Sequence, residues 1–198
     1  MNQPRQKFLQ MLKNRTTKYS NTYPNKPPTK IVTVAYATGV LAKLQLQNIP
    51  YAILGGQALA LHGYNRTTQD IDVLVNPNDI PAIIQSLNIQ RTTPLTIGGV
   101  AGFLPDGTEI DLVSPNVAWL GEAISNAQNS AGGRVITKPY VVLAKLWASR
   151  GAQEDVDIIQ MIKRMNDTEL QQTKTLIQQY LPNDSEDLEQ LIEMKDYL

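Results

Sequence analysis

The chain carries Gly55-Gly56-Gln57-Ala58-Leu59-Ala60-Leu61-His62 and, shortly after it, Asp70-Ile71-Asp72-Val73-Leu74-Val75. The preceding residues, 51–54, are a short apolar run that stops at the two glycines, and the Ala- and Leu-rich residues 57–62 favour helix. The order predicts strand, tight glycine turn, helix. From Asp70 polar and apolar residues alternate and then give way to a fully apolar run, as in a strand that passes from a cleft into a core. Asn76 and Pro77 break it.

Residues two apart in a strand project from one face, so Asp70 and Asp72 aim their carboxylates at one point while Ile71 turns into the core. Such a pair repels unless a cation sits between the two groups, and an all-oxygen donor set suits magnesium completed by substrate phosphates. Asp111, between Ile110 and Leu112 in a predicted strand over 108–113, repeats the pattern of a carboxylate flanked by core residues. Three carboxylates on adjacent strands hold two divalent ions, one polarising an attacking hydroxyl and the other neutralising a triphosphate. Gly55 and Gly56 let backbone approach phosphate oxygens, with the N–H groups of the following helix start as donors.

Working outward, the chain is sharply asymmetric in charge although its net charge is zero. No Asp or Glu precedes Asp70, and the residues after Asn166 are mainly acidic. Residues 1–30, polar and interrupted by Pro24, Pro27 and Pro28, predict a weakly ordered basic arm, with Phe8, Leu9, Met11 and Leu12 suited to one short docking helix. Such an arm either steers phosphates by its field or is simply solvated. No apolar run reaches the ~18 to 20 residues of a membrane helix, and the polar start has no hydrophobic segment with a cleavage site, so a cytoplasmic protein is expected. The chain has no cysteine and one histidine, His62, which excludes disulfides, thiolate sites and a multi-histidine zinc centre.

Thr29 is a plausible N-cap for a one-sided helix carrying Val34, Ala37, Leu41 and Leu44 and ending near Asn48. A helix is expected over 79–87, an apolar run near 97–104 leads to the hairpin pair Asp106-Gly107, and 134–137 reads as a short edge strand. Pro139 suits the first turn of a helix with Val142, Leu143, Leu146 and Trp147, and three more helices follow over about 154–164, 168–180 and 185–197. Strands in the first two thirds and helices at the end predict an α+β fold, a mixed sheet flanked by helices with a C-terminal helical extension. The expected division is an arm over 1–30, a core over 31–138 and a helical region over 139–198.

With Gly55-Gly56, His62-Gly63, Arg66, Thr68, Asp70-Ile71-Asp72 and Asp111 in place, the sequence resembles the DNA polymerase β-like nucleotidyltransferase superfamily. Within it, the chain looks like small bacterial members, the abortive-infection (AbiEii/AbiGii-type) toxins and related minimal nucleotidyltransferases. Residues 143–150 and the Glu154-Asp155-Val156-Asp157-Ile158 run resemble their C-terminal helical signature, so the likeness spans about 31–165. The resemblance implies magnesium- or manganese-dependent transfer of a nucleoside monophosphate from an NTP to an acceptor hydroxyl. Asp70, Asp72 and Asp111 would be the metal ligands, Asp111 also the base; Gly55, Gly56, Gln57, Arg66, Thr68 and Lys145 would bind nucleotide, with Lys145 as a phosphate clamp. The sequence departs from the family pattern at Gln57, where many members carry Ser, and at Gln153-Glu154, where a basic-acidic pair is expected.

Plainer roles stand beside these. His62 reads as a structural hydrogen-bonding residue more than a base, and Arg66 either contacts phosphate or pairs with Asp70 or Asp72. Thr67 and Thr68 suit turn hydrogen bonds, and Asp155 and Asp157 either bind substrate or cap a helix start. Trp119 and Trp147 read as core or interface, and Leu188, Leu191 and Ile192 as packing. The expected acceptor is an RNA end or a protein hydroxyl, in a toxin–antitoxin or phage-defence setting with a cognate partner. An inactive nucleotidyltransferase-fold interaction or antitoxin-like regulatory protein is the alternative, and a transferase acting on a small molecule a third.

Overall fold

The computed structural model describes residues 31–148 and 151–197, which form two compact units dividing between Thr137 and Lys138. The predicted arm, its docking helix and Thr29 lie outside the described residues, as do Ser149 and Arg150 of the C-terminal likeness.

The first unit is built on a seven-stranded mixed sheet. Helix α1 (Val34–Leu46) precedes it, capped by Thr33, whose Oγ1 accepts from the Tyr36 amide at 3.2 Å. Its Ala37, Leu41 and Leu44 are fully buried, as their spacing predicts, and burying each Leu is worth roughly 1.5–3 kcal/mol. Then come β1 (Tyr51–Ile53), α2 (Gly55–Leu61), β2 (Asp70–Val75), a short 3-10 turn and α3 (Ile80–Leu87). Strands β3 (Gln90–Pro94), β4 (Gly99–Phe103) and β5 (Glu109–Val113) follow, then α4 (Leu120–Ser125), β6 (Gln128–Ser130) and β7 (Gly133–Val135). The sheet order is β3-β4-β5-β2-β1-β7-β6. β2 lies parallel to β5 and antiparallel to β1, and β1 lies parallel to β7.

Burial along β2 and β5 explains what the sheet positions. Ile71, Val73, Ile110 and Leu112 fill one face, whereas on the other Asp70, Asp72, Glu109 and Asp111 are only half-buried until Leu74 and Val113 close it. The Asp106-Gly107 hairpin forms as expected between β4 and β5, with Gly107 at a φ of +83° and Asp106 Oδ1 accepting from the Thr108 amide at 3.0 Å.

Three strands depart from the sequence reading. The segment expected as an edge strand over 134–137 is β7, flanked by β1 and β6, and the edge is β6. β6 escaped notice because three polar residues carry no hydrophobic alternation. At the opposite edge, β3 was also unforeseen, since all five of its residues are exposed. It pairs with β4 through a register shift between Gln90 and Thr93, a bulge, and ends at Pro94.

The second unit contains α5 (Lys138–Ala148), α6 (Ala152–Ile162), α7 (Asp167–Tyr180) and α8 (Ser185–Met194). Helix α7 starts with a capping box: Asn166 accepts from the Glu169 amide and the Glu169 carboxylate accepts from the Asn166 amide. Lys138 ties that start to the end of α6, its Nζ donating to Arg164 O at 2.7 Å and to Glu169. Leu188 and Leu191 are buried and Ile192 is half-buried, so the stripe on α8 packs as read. Among the described residues no helix is long and apolar enough to cross a membrane.

Candidate functional site

The half-buried face of β2 and β5 gathers the acidic side chains singled out in the sequence. In the parallel register Asp72 stands beside Asp111, and Asp70 beside Glu109. Partners in a parallel pair sit about 4.8 Å apart and project to the same side, so Asp70, Asp72 and Asp111 share one face. Glu109 shares it too. That residue went unremarked in the sequence, although it lies two positions before Asp111 in an alternating strand, the spacing that links Asp70 to Asp72.

The glycine turn meets this face directly. Gly55 has a φ of +60°, and a Cβ there would overlap Oδ2 of Asp72, so only a residue without a side chain lets that carboxylate lie against the chain. The Leu54 amide donates to Asp72 O at 3.0 Å, joining the turn to β2. A Cβ on Gly56 would fall 2.8 Å from the Cβ of Thr68. The glycines therefore make room for the site's own Asp72 and Thr68. Thr68 Oγ1 in turn donates to Asp70 Oδ1 at 2.7 Å, fixing that carboxylate.

Other expected site residues lie further back. Gln57 is 2% exposed, and its Nε2 donates to Val32 O at 2.9 Å, which anchors the chain entering α1. His62 Nε2 lies 2.7 Å from Ile136 O; a carbonyl only accepts, so this nitrogen carries the hydrogen, and the ring ties α2 to the residue after β7. Arg66 and Thr67 lie in the segment between α2 and β2, Arg66 half-buried and already engaged in an interaction, Thr67 exposed. Trp119 is buried and Trp147 half-buried.

Lys145 belongs to the second unit. Its Nζ donates to Asp157 Oδ2 at 2.7 Å, with side-chain exposures of 13% and 0%, and Gln153 Nε2 donates to Asp157 Oδ1 at 3.1 Å. Asp155 is also buried, in the first turn of α6, and Glu154 is half-buried there.

Among the described residues no group of three or more His, Cys, Asp or Glu side chains is drawn together as a ready metal site. Magnesium is commonly held by one or two carboxylates, with waters and substrate phosphates completing the octahedron. The in-register pair of Asp72 and Asp111 fits that requirement: both are oxygen donors, on one face, next to a bend that a Cβ would block.

Residues 34–116 match a family model described as "Nucleotidyltransferase of unknown function (DUF6036)". That segment contains the glycine turn and all four site carboxylates and ends before Lys145. No curated protein shows a sequence match to the chain. Among solved structures, the antibiotic-resistance factor ANT(2'')-Ia in solution aligns at 17% identity with a TM-score of 0.53, over 74% of this chain and 91% of that one. An antigenic nucleotidyltransferase-like protein from Paracoccidioides brasiliensis aligns at 22% identity and TM-score 0.46 over 81% and 95% of the two chains. JHP933 from Helicobacter pylori aligns at 16% identity and TM-score 0.46 over 83% and 88%. The chain thus has an α+β fold of nucleotidyltransferase type, and through residues 34–116 it is similar to a family of nucleotidyltransferases.

Proposed function

We propose that this protein is a metal-dependent nucleotidyltransferase that moves a nucleoside monophosphate from an NTP to an acceptor hydroxyl. The observation that carries the reading is the side-by-side placement of Asp72 and Asp111 on the open sheet face, with the Asp72 carboxylate seated against Gly55. Asp72 and Asp111 would hold Mg²⁺ or Mn²⁺ with Asp70 completing the set, and the bound cation supplies the positive charge that offsets the triphosphate. Backbone N–H groups at Gly55 and Gly56, which start a helix of only seven residues, serve the phosphates as donors, with little help from a helix dipole. Thr68 and Gln57 position, the first through Asp70 and the second through Val32. Arg66 offers a guanidinium to the phosphates from the loop before β2.

The chemistry balances as a substitution at phosphorus. The acceptor oxygen bonds to the α-phosphorus as its proton passes to Asp111, the bond from that phosphorus to the bridging oxygen breaks, and pyrophosphate leaves. On the likeness to abortive-infection toxins, the acceptor is an RNA end or a protein hydroxyl, and the setting is a cytoplasmic toxin–antitoxin or phage-defence pair. Label transfer from each α-³²P NTP with Mg²⁺ or Mn²⁺, to a panel of RNA, protein and aminoglycoside, tests the reading. Transfer to one acceptor class, abolished in Asp72→Asn, is expected. If neither transfer nor heat stabilisation by any NTP with either metal occurs, the fold serves as a binding scaffold instead.

A further inference from the structure

The open sheet face extends past the carboxylates toward β4 and β3. In the antiparallel register Ala101 stands beside Asp111, Phe103 beside Glu109, and Gln90 beside Phe103. Asp70, Glu109 and Phe103 therefore form one row across three strands on the face of the site. Phe103 is half-buried, and the exposed Arg91 lays its guanidinium carbon 5.3 Å from the centre of the Phe103 ring.

Arg91 reaches that position by an uncommon backbone. It has a φ of +51°, left-handed for a residue with a long side chain, within the bulged pairing of β3 with β4. A bulge re-aims the side chain it carries, and strain of this kind persists where the surroundings over-determine it, often at functional sites. Here it turns a cation onto an aromatic ring beside four carboxylates. Phe103 stands one strand across and two residues along from Asp111, roughly 8 Å between Cα atoms, the scale of one nucleoside.

We propose that Arg91 and Phe103 form the acceptor subsite and stack the terminal base of a single-stranded RNA whose ribose hydroxyl lies at Asp111. The inference rests on the nucleotidyltransferase reading and names its acceptor class. Sheet order separates the two substrates: the glycine turn serving the triphosphate follows β1, on one flank of β2 and β5, and the platform lies on the other. An aromatic ring with a guanidinium beside it stacks any base. Glu109, between the ring and Asp70, places a carboxylate where ribose hydroxyls donate.

The test compares the full chain with Arg91→Ala, Phe103→Leu and Phe103→Tyr. Binding of a 5′-fluorescein RNA octamer, intact or with an abasic 3′-terminal nucleotide, is followed by anisotropy, and stabilisation by NTP with Mg²⁺ by thermal unfolding. The wild type is expected to prefer the intact RNA by about 5- to 100-fold. Phe103→Leu should erase that preference, Arg91→Ala reduce it and Phe103→Tyr keep it, with NTP stabilisation unchanged in all three. Equal binding of both RNAs by the wild type, or retention of the preference by Phe103→Leu, overturns the inference. So does a loss of NTP stabilisation in Phe103→Leu, which would give the ring to the NTP base. Transfer of label to protein or aminoglycoside in place of RNA overturns the subsite but leaves the enzyme, whereas a wild type that no NTP stabilises removes both.

Discussion

Asp-x-Asp occurs in each of the two units, as Asp70-Ile71-Asp72 in the first and Asp155-Val156-Asp157 in the second, with different outcomes. On β2 the two carboxylates leave the same side of a strand and stay half-exposed beside Glu109 and Asp111. On α6 residues two apart diverge by about 200° around the axis, so Asp155 and Asp157 point apart, and each is buried separately. Asp157 is neutralised by Lys145 and held by Gln153. Spacing acquires chemistry only through the secondary structure that carries it. Carboxylates gathered on one face of a strand can share a cation, whereas a charge enclosed in helices is matched by its own lysine.

Four single substitutions and one double variant separate the two situations. The largest effect is expected at the enclosed pair: Asp157→Ala leaves Lys145, only 13% exposed, without its carboxylate and should cost about 3–5 kcal/mol in urea unfolding. Asp157→Leu combined with Lys145→Met should recover most of that loss. Next comes Asp72→Asn, expected to lower label transfer about 100- to 1000-fold while leaving the thermal midpoint nearly unchanged. A clear drop in midpoint would mean that the face carboxylates are structural after all. Gly55→Ala should do some of both, because left-handed backbone at Ala costs about 1–2 kcal/mol and its Cβ displaces Asp72. Unfolding and transfer measured on one preparation would show both losses. The smallest effect belongs to Thr68→Val, which removes the 2.7 Å hydrogen bond to Asp70. About 1 kcal/mol, or less than tenfold in transfer, is expected with stability nearly unmoved.

The parts of this arrangement legible in the sequence are those where polarity alternates against a core. β2 and β5 announced themselves because Ile71, Val73, Ile110 and Leu112 flank acidic residues that no core would accept unless a face stays open. Both Thr29 and Thr33 precede a helical pattern, so the sequence does not single out the cap of α1; Thr33 supplies the capping bond. β3 and β6 were illegible because their side chains face solvent, so only backbone pairing defines them. Glycine at 55 also leaves the space that the Asp72 carboxylate occupies, an approach between distant residues that no local pattern encodes. Glu109 lies two positions from Asp111 on β5, the same spacing that links Asp70 to Asp72, so local alternation does encode it.

One consequence follows from the bulged outer strand. A row of open N–H and C=O groups along a sheet margin invites a second chain to add itself, and β3 is such a margin, fully exposed. Pro94 contributes no N–H there, and the shift between Gln90 and Thr93 breaks the even spacing that an incoming strand would need. The same kink that turns Arg91 toward the ring thus makes this margin a poor template for an added strand.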